Sequence, residues 1–409
     1  MAISCTVFDC MDPASPVPVG SFGIDEIGEG HFGYGLRYID KPRAFALDPL
    51  HLPLSRDIQR VPRRDDGTYG VLSDAGPNAW GIKLTSSLCR KQNQPLPANP
   101  VEWLLHSWHY GSGCLGFSRH HTEAPNLGVE PGTTEQLSAS LLKAVDALTT
   151  DPDAALSDDA ATLLAPGSSL GGVRPKTVVM HDGIEHIAKF ARPDDVFDVP
   201  TVEYATMCLA HQAGISVPDF ELIERGGRSI FLIARFDRTR DAKRKHYLSA
   251  HSLLSPGPVS IDGLEYKTSF SYAGIAEAMR PLNRRAQADS HELFRRMVFN
   301  ILVGNVDDHL RNHAFLMDET GKFVLSPAFD LVPHPLAASS PQAIGVGALG
   351  RASTMANAVS QAGRFLLKPD EAQAIIDQVS EVVSQWRSEF KNLGVRAQDI
   401  HTITPCFSA

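Results

Sequence analysis

The segment Asn300–Pro333 reads NILVGNVDDHLRNHAFLMDETGKFVLSPAFDLVP and spaces three hard-oxygen side chains along the chain. Asp307 stands five residues before Asn312, and Asp330 follows after one apolar hairpin pattern. Moving a phosphoryl group from ATP calls for a carboxylate that orients the acceptor hydroxyl. It also needs an amide oxygen and a second carboxylate to hold Mg²⁺ against the phosphates. Oxygen ligands of that kind are what Mg²⁺ selects. The three residues are therefore a candidate phosphoryl-transfer centre.

Upstream lies PGSSLGGVRPK, a Gly/Ser loop whose successive backbone N–H groups suit an anion because glycine lets the chain approach closely. Its end superficially echoes a P-loop. Leu170 and Pro175 occupy the two places where that motif needs glycine, and a strand pattern follows instead of a helix, so the P-loop reading fails. Lys189 sits in the apolar strand HIAKF beyond the loop, on one face with Glu185 and Ile187 by the period of two. A partly buried lysine needs a phosphate or carboxylate nearby, and Glu203 on the next helix is a candidate. Taken singly, the loop reads as a surface turn and Lys189 as an exposed lysine just as well. The order of loop, lysine, Asp, Asn and Asp is what makes the set specific.

His309 and His313, four apart, invite a metallohydrolase reading. Leu310 stands where H-E-x-x-H needs its glutamate and the pattern is that of a loop leaving a helix, so zinc is disfavoured. His309 reads as a residue that fixes the loop by hydrogen bonds. The Asp-to-Asn separation matches the protein-kinase catalytic loop, although the His-Arg that precedes that kinase Asp is absent.

Several elements must position these groups. Pro77–Lys91, Pro100–Tyr110 and Thr134–Leu148 carry helical apolar spacing, whereas VPVGSFGID and HFGYGLRYI lean to strand. DPDAALSDDAATL reads as a linker or surface loop. Hairpins are expected around Asp182-Gly183 and Arg225-Gly226-Gly227-Arg228. A helix over Pro200–Ala213 closes at Gly214. Asp289 through Glu292 has capping-box spacing ahead of a helix that Gly304 ends, and Asp370–Leu393 reads as one long amphipathic helix.

With 409 residues, 43% apolar and 21% charged, the chain has room for two or three packed lobes and an ordinary globular composition. No apolar run reaches the length of a membrane span, and the N-terminus lacks a leader pattern, so a cytoplasmic location is expected. The six cysteines form no C-x-x-C pair and read as reduced thiols. A net charge of −9 disfavours direct DNA binding, and the basic run RFDRTRDAKRK reads as a solvated loop.

The chain resembles the HipA family of bacterial serine/threonine kinases, the toxins of HipBA-type toxin–antitoxin modules. The resemblance is carried by SSLGGVRPKTVV, HIAKF, PTVEYATMCLAHQAGISVPDFELI, ARFDR, GNVDDHLRNHAFL and LSPAFDLVP, and more loosely by SDAGPNAWGIKL and YGSGCLGFS. It implies an α+β, bilobal fold akin to protein and phosphoinositide kinases. That fold has an extra N-terminal subdomain (1–130), a β-rich N-lobe (131–236) and a mainly helical C-lobe (237–409). By resemblance the loop at Ser169, Gly171, Gly172 and Val173 and the strand residue Lys189 would contact ATP. Arg235 and Phe236 would lie near the adenine hinge, where Ala234 stands in place of an acidic residue. Asp307 would be the catalytic base, Asn312 and Asp330 the Mg²⁺ ligands, and His309 a neighbour of the nucleotide. Autophosphorylation would fall on Ser169, or on Ser168 beside it. The implied partners are a HipB-like helix-turn-helix antitoxin, through which DNA is met only indirectly, and a substrate such as an aminoacyl-tRNA synthetase. A small-molecule or lipid phosphotransferase and an ATP-binding pseudokinase are the other readings.

Overall fold

Gly30, Phe32 and Tyr34 bury every second position of their strand, and Cys5 and Val7 do the same in the first strand until a register shift at Val7/Phe8 breaks the alternation. The computed structural model describes residues 3–107, 110–125, 130–254, 270–318, 320–335 and 340–407. Two compact units emerge, one from Met1–Pro193 with Ile223–Leu248, the other from Asp194–Leu222, Ser249–Leu254 and Val259–Ala409.

In the first unit β1 (Ile3–Asp9), β2 (Val17–Ile24), β3 (Gly30–Tyr34), β4 (Gln59–Val61) and β5 (Leu115–Ser118) form an antiparallel sheet in the order β4-β3-β2-β1-β5. Short helices α1 (Leu36–Ile39) and α2 (Val71–Asp74) precede α3 (Ala79–Lys91) and α4 (Pro100–Ser107). A second sheet holds β6 (Gly132–Thr133), β7 (Lys176–His181), β8 (Ile184–Phe190), β9 (Phe220–Arg225) and β10 (Arg228–Ala234) in the order β6-β7-β8-β10-β9. Both expected hairpins form, and Asp182 and Gly183 turn the first at φ 48° and 74°.

The helix expected over Thr134–Leu148 begins later. A 3₁₀ turn at Thr134–Gln136 comes first, and Ser138 then caps α5 (Ala139–Thr150) by accepting the Leu141 N–H. The stretch read as a linker contains α6 (Asp158–Leu164). Ser157 accepts the Ala160 N–H at 3.2 Å while Asp158 and Asp159 sit at the positive end of the helix, and Ala160, Ala161 and Leu164 are buried. One core runs from Trp80 and Leu84 of α3 through Leu141, Val145 and Leu164 to Val179, Phe190 and Leu232 of the second sheet.

The second unit is mainly helical. α7 (Val199–Gln212) ends ahead of Gly214, and α8 (Ala250–Leu254) and α9 (Tyr272–Met279) follow. α10 (Ala286–Leu302) buries Leu293, Phe294, Met297, Val298 and Ile301, each a gain of roughly 1.5–3 kcal/mol. It starts three residues before the expected cap, so Asp289 lies inside the first turn. There its carboxylate accepts the Leu325 N–H at 2.7 Å and the Asn283 amide at 2.8 Å and meets Arg285 at 3.0 Å. Tertiary partners thus took the side chain from the helix end. The hairpin of β11 (Ala314–Met317) and β12 (Phe323–Leu325) follows, then α11 (Met355–Val359).

The long C-terminal helix is broken at Gln385 into α12 (Pro369–Ser384) and α13 (Trp386–Asn392), with α14 (Ala397–Ile403) beyond. The break falls where Trp386 stacks on Phe407, ring centroids 3.8 Å apart. The first four residues of 336–361 lie outside the described residues. No helix among the described residues is long and apolar enough to cross a membrane.

Candidate functional site

In the second unit the candidate centre is a loop hung from the C-terminus of α10. Gly304, at φ 63°, donates to Ile301 O, and Asn305 donates to Asn300 O at 2.9 Å. These two bonds close the helix with a Schellman motif. A Cβ at Gly304 would stand 2.5 Å from the Cys406 carbonyl oxygen, so only glycine fits this exit. The chain then presents Asp307 and Asp308 with opposite fates. The Asp307 side chain is 66% exposed, and its carboxylate lies 3.9 Å from His334 Nε2.

Asp308 is 1% exposed, and one of its oxygens accepts three hydrogen bonds. The donors are the Tyr272 hydroxyl (2.5 Å), the Asn300 amide (2.7 Å) and His313 Nε2 (2.9 Å). Burial pushes this carboxyl up, but the charge and hydrogen bond of His313 and the bond from Tyr272 outweigh it and hold it below the ordinary range. Burial, followed by the Asp308 charge, drives the Tyr272 hydroxyl well above its ordinary range. Asn305 donates to Asn300 Oδ1 at 3.1 Å and extends the network back to the helix end.

Beyond Asp308 a 3₁₀ turn, Leu310–Asn312, is closed by the Asn312 N–H on His309 O. The Asn312 amide nitrogen faces Asp307 O at a long 3.5 Å. His309 is exposed and makes no side-chain cap bond, so the loop-fixing role expected of it falls to buried His313. Ser326 N–H donates to Ala314 O, carrying the return strand back toward Asn312. Asp330, four residues on, has φ 62°, a left-handed conformation uncommon for a residue with a side chain and typical of functional loops.

Among the described residues no group of three or more His, Cys, Asp or Glu is placed to hold a metal. Asn312 and Asp330 offer one amide and one carboxylate. That donor set fits Mg²⁺, which is commonly held by one or two protein oxygens together with substrate phosphates and water, and it does not fit zinc.

The loop and lysine candidates lie in the first unit. Ala165–Ser169 is a 3₁₀ turn in which Ser168 and Ser169 are buried, and Ser169 Oγ has no hydrogen-bond partner. Gly171 and Val173 are exposed, and Gly172 has φ 89°. Lys176 Nζ donates to Gly171 O at 2.7 Å. Lys189 is buried in β8, with its ammonium 5.9 Å from the Phe231 ring centroid. Glu203, weighed as its partner, is buried in α7 of the other unit.

The ARFDR segment carries a signal that sequence reading missed. The Arg235 guanidinium donates to both oxygens of Asp237 and to the carbonyls of Tyr110 (2.7 Å) and Gly111 (2.8 Å). Arg238 donates to Asp237, Gly113 O and Gly111 O, while Gly113 N–H returns a bond to Asp237 at 2.7 Å. Burial first, then the Arg235 charge, pushes Arg238 down to about 9, whereas both arginines outweigh burial to hold Asp237 low. The basic run read as a solvated loop is therefore partly interior: Arg235, Arg238 and Arg244 are buried. The Arg235 N–H is itself bonded to Glu185 O, and Phe236 is half-buried.

A β-rich unit with a glycine loop and a strand lysine and a mainly helical unit with an Asp-x₄-Asn loop together define a kinase-like α+β protein. Residues 168–386 match the model of the HipA-like C-terminal domain, more than half of the chain, and the chain belongs to that family. It is 27% identical over 189 residues to a Haemophilus influenzae protein provisionally named a kinase, covering 41% of this chain and 54% of that one. It is 25% identical over 198 residues to the serine/threonine-protein kinase toxin HipA of Shewanella oneidensis, covering 41% and 43%. The chain spans about half the length of the curated relatives it matches. The fold is also that of Shewanella oneidensis HipA solved with HipB and operator DNA, with a TM-score of 0.66 at 16% identity over 98% of this chain and 94% of that one.

Proposed function

We propose that this protein is an ATP- and Mg²⁺-dependent protein serine/threonine kinase and the toxin of a type II toxin–antitoxin module. The observation that carries the reading is the split between adjacent carboxylates, with Asp308 buried on three donors and Asp307 exposed five residues before Asn312. An anchored loop that presents one solvent-facing carboxylate is what orienting an acceptor hydroxyl requires.

In this reading Asp307 accepts the hydroxyl proton of the acceptor serine or threonine. Asn312 and Asp330 hold Mg²⁺, which when bound neutralises charge on the transferring phosphoryl group. Lys189 and the loop from Ser169 through Gly171, Gly172 and Val173 bind the ATP phosphates. His309 lies beside the nucleotide, and Arg235-Phe236 mark the adenine hinge. Ser169, with Ser168 as its neighbour, is the site of self-modification. The partners are a HipB-like antitoxin, which carries DNA binding, and a translation component such as an aminoacyl-tRNA synthetase, in the cytoplasm. Family membership supports the toxin assignment.

Radiolabelled ATP tests it. The purified protein labels itself or a cell-extract protein, and Asp307→Ala lowers labelling by about 10²–10⁴-fold with ATP binding retained in calorimetry. ATP binding by wild type without any labelling, or full labelling by Asp307→Ala, overturns the assignment.

A further inference from the structure

The N-terminal end of α3 meets the Gly-rich loop at every stage of its course, although the two are far apart in sequence. Trp80 N–H, one of the donors that a helix start leaves without an intrahelical partner, donates to Gly172 O at 3.0 Å. The Trp80 indole N–H donates to Lys176 O at 2.8 Å, where the loop enters β7. At Gly81 a Cβ would stand 2.5 Å from Ser168 O and 2.9 Å from Leu170 O, both backbone atoms. Trp80 is 2% exposed and belongs to the core it shares with Leu141, Leu164 and Val179, so the contact is fixed to the interior.

We infer that Trp80 and Gly81 are positioning residues that latch the Gly-rich loop in its phosphate-binding orientation. This rests on the kinase reading above and extends it to residues outside the matched domain. The geometry supplies the reason. A trans peptide sets its N–H opposite its C=O, so drawing the Gly172 carbonyl to α3 turns the Val173 N–H away from the helix. The Lys176 ammonium does the same from its side, holding Gly171 O and turning the Gly172 N–H outward. Successive N–H groups so directed make an anion nest. The Ser169 hydroxyl adds nothing to this placement, since its Oγ is buried without a hydrogen-bond partner.

The test compares wild type with Trp80→Phe, which keeps a ring in the core and deletes the indole donor, and with Gly81→Ala. Ile82→Ala, on the exposed side of the same helix, is the control. Trp80→Phe is expected to raise KM for ATP about fivefold, the equivalent of one hydrogen bond, and Gly81→Ala at least about tenfold, with kcat at saturating ATP within about twofold. Hydrogen exchange at the residue-80 and Leu170 amides, which are bonded to Gly172 O and Gly167 O, quickens in both while α10 stays protected, and Ile82→Ala matches wild type. If Gly81→Ala does not fold, Trp80→Phe decides alone. A folded Trp80→Phe with wild-type loop exchange and wild-type KM overturns the latch. If wild type neither binds ATP nor transfers phosphate, the kinase reading falls and loop exchange alone decides: faster in Trp80→Phe supports the latch, unchanged overturns it.

Discussion

Truncating Asp308 to alanine removes an acceptor that three buried donors share, and the consequence can be sized. The Tyr272 hydroxyl, Asn300 amide and His313 ring converge on one oxygen within 2.9 Å. Hydrogen bonds to a charged group contribute roughly 1.5–3 kcal/mol each, but bonds that share an oxygen are not additive. Breaking a buried ionic cluster by removing one member costs about 3–5 kcal/mol, and Asp308→Ala should lose that much stability. With a urea dependence of about 2 kcal/mol/M, the unfolding midpoint drops by about 2 M. Asp308→Asn keeps the shape and one oxygen but loses the charge, and should lose about 1–3 kcal/mol.

The pH dependence gives an independent handle. The Asp308 carboxyl is held below its ordinary value, so its contribution is present above the unfolded-state pKa and is lost as pH falls through the folded one. Urea midpoints measured from about pH 7 to about pH 3 should therefore fall more steeply below about pH 4 in wild type than in Asp308→Asn. Phosphotransfer should fall with stability in Asp308→Ala, because Asp307 is displaced with its neighbour. An Asp308→Ala protein within about 1 kcal/mol of wild type at neutral pH, or equal acid slopes in wild type and Asp308→Asn, refutes the reasoning.

Three further outcomes are expected. Ser169→Asp places a charge at a buried loop position that would face ATP phosphates, and calorimetry should show at least about a tenfold loss of ATP affinity; unchanged binding rules out this account of the loop. Asp237→Ala leaves buried Arg235 and Arg238 only the longer Glu185 carboxylate contacts, at 3.5 and 3.3 Å, and should cost about 3–5 kcal/mol in urea unfolding, while a loss under about 1 kcal/mol would show the cluster to be dispensable. Burial lowers His246 to about 4, so the unfolded chain binds the extra proton below about pH 6.5 and stability drops by about 3 kcal/mol as pH falls toward about 4. His246→Gln should flatten that limb, and an equal slope in the variant would refute the assignment.

Local chemistry was legible in the sequence wherever the determinant lay within a few residues. The Asp182-Gly183 and Gly226-Gly227 hairpins and the helix stops at Gly214 and Gly304 all form at the residues whose backbone freedom announced them. The expected α+β, kinase-like architecture is likewise present. What escaped was decided by partners far along the chain. Asp289 has the look of a cap, yet Leu325 N–H and Arg285 claim it from inside the helix. RFDR looks like a solvated basic run, yet Arg235 and Arg238 bond to the backbone of Tyr110, Gly111 and Gly113, more than a hundred residues earlier. The Ser157-Asp158-Asp159 start of α6 was a local signal that the small-residue composition around it obscured.

The adjacent pair Asp307-Asp308 shows why a motif alone cannot allot roles. Two identical side chains one residue apart are indistinguishable by composition, and the five-residue interval to Asn312 picks out the first only if the loop has the kinase geometry. Burial divides them on physical grounds. A carboxylate that saturates one oxygen with three interior donors has no freedom to meet a substrate, and at 1% exposure it has no access to one. Its neighbour, 66% exposed, has both. The anchoring of Asp308 thus fixes the backbone on which Asp307 is presented, and in the proposed kinase the rigidity that would hold Asp307 in place would come from a neighbour that does not meet the substrate.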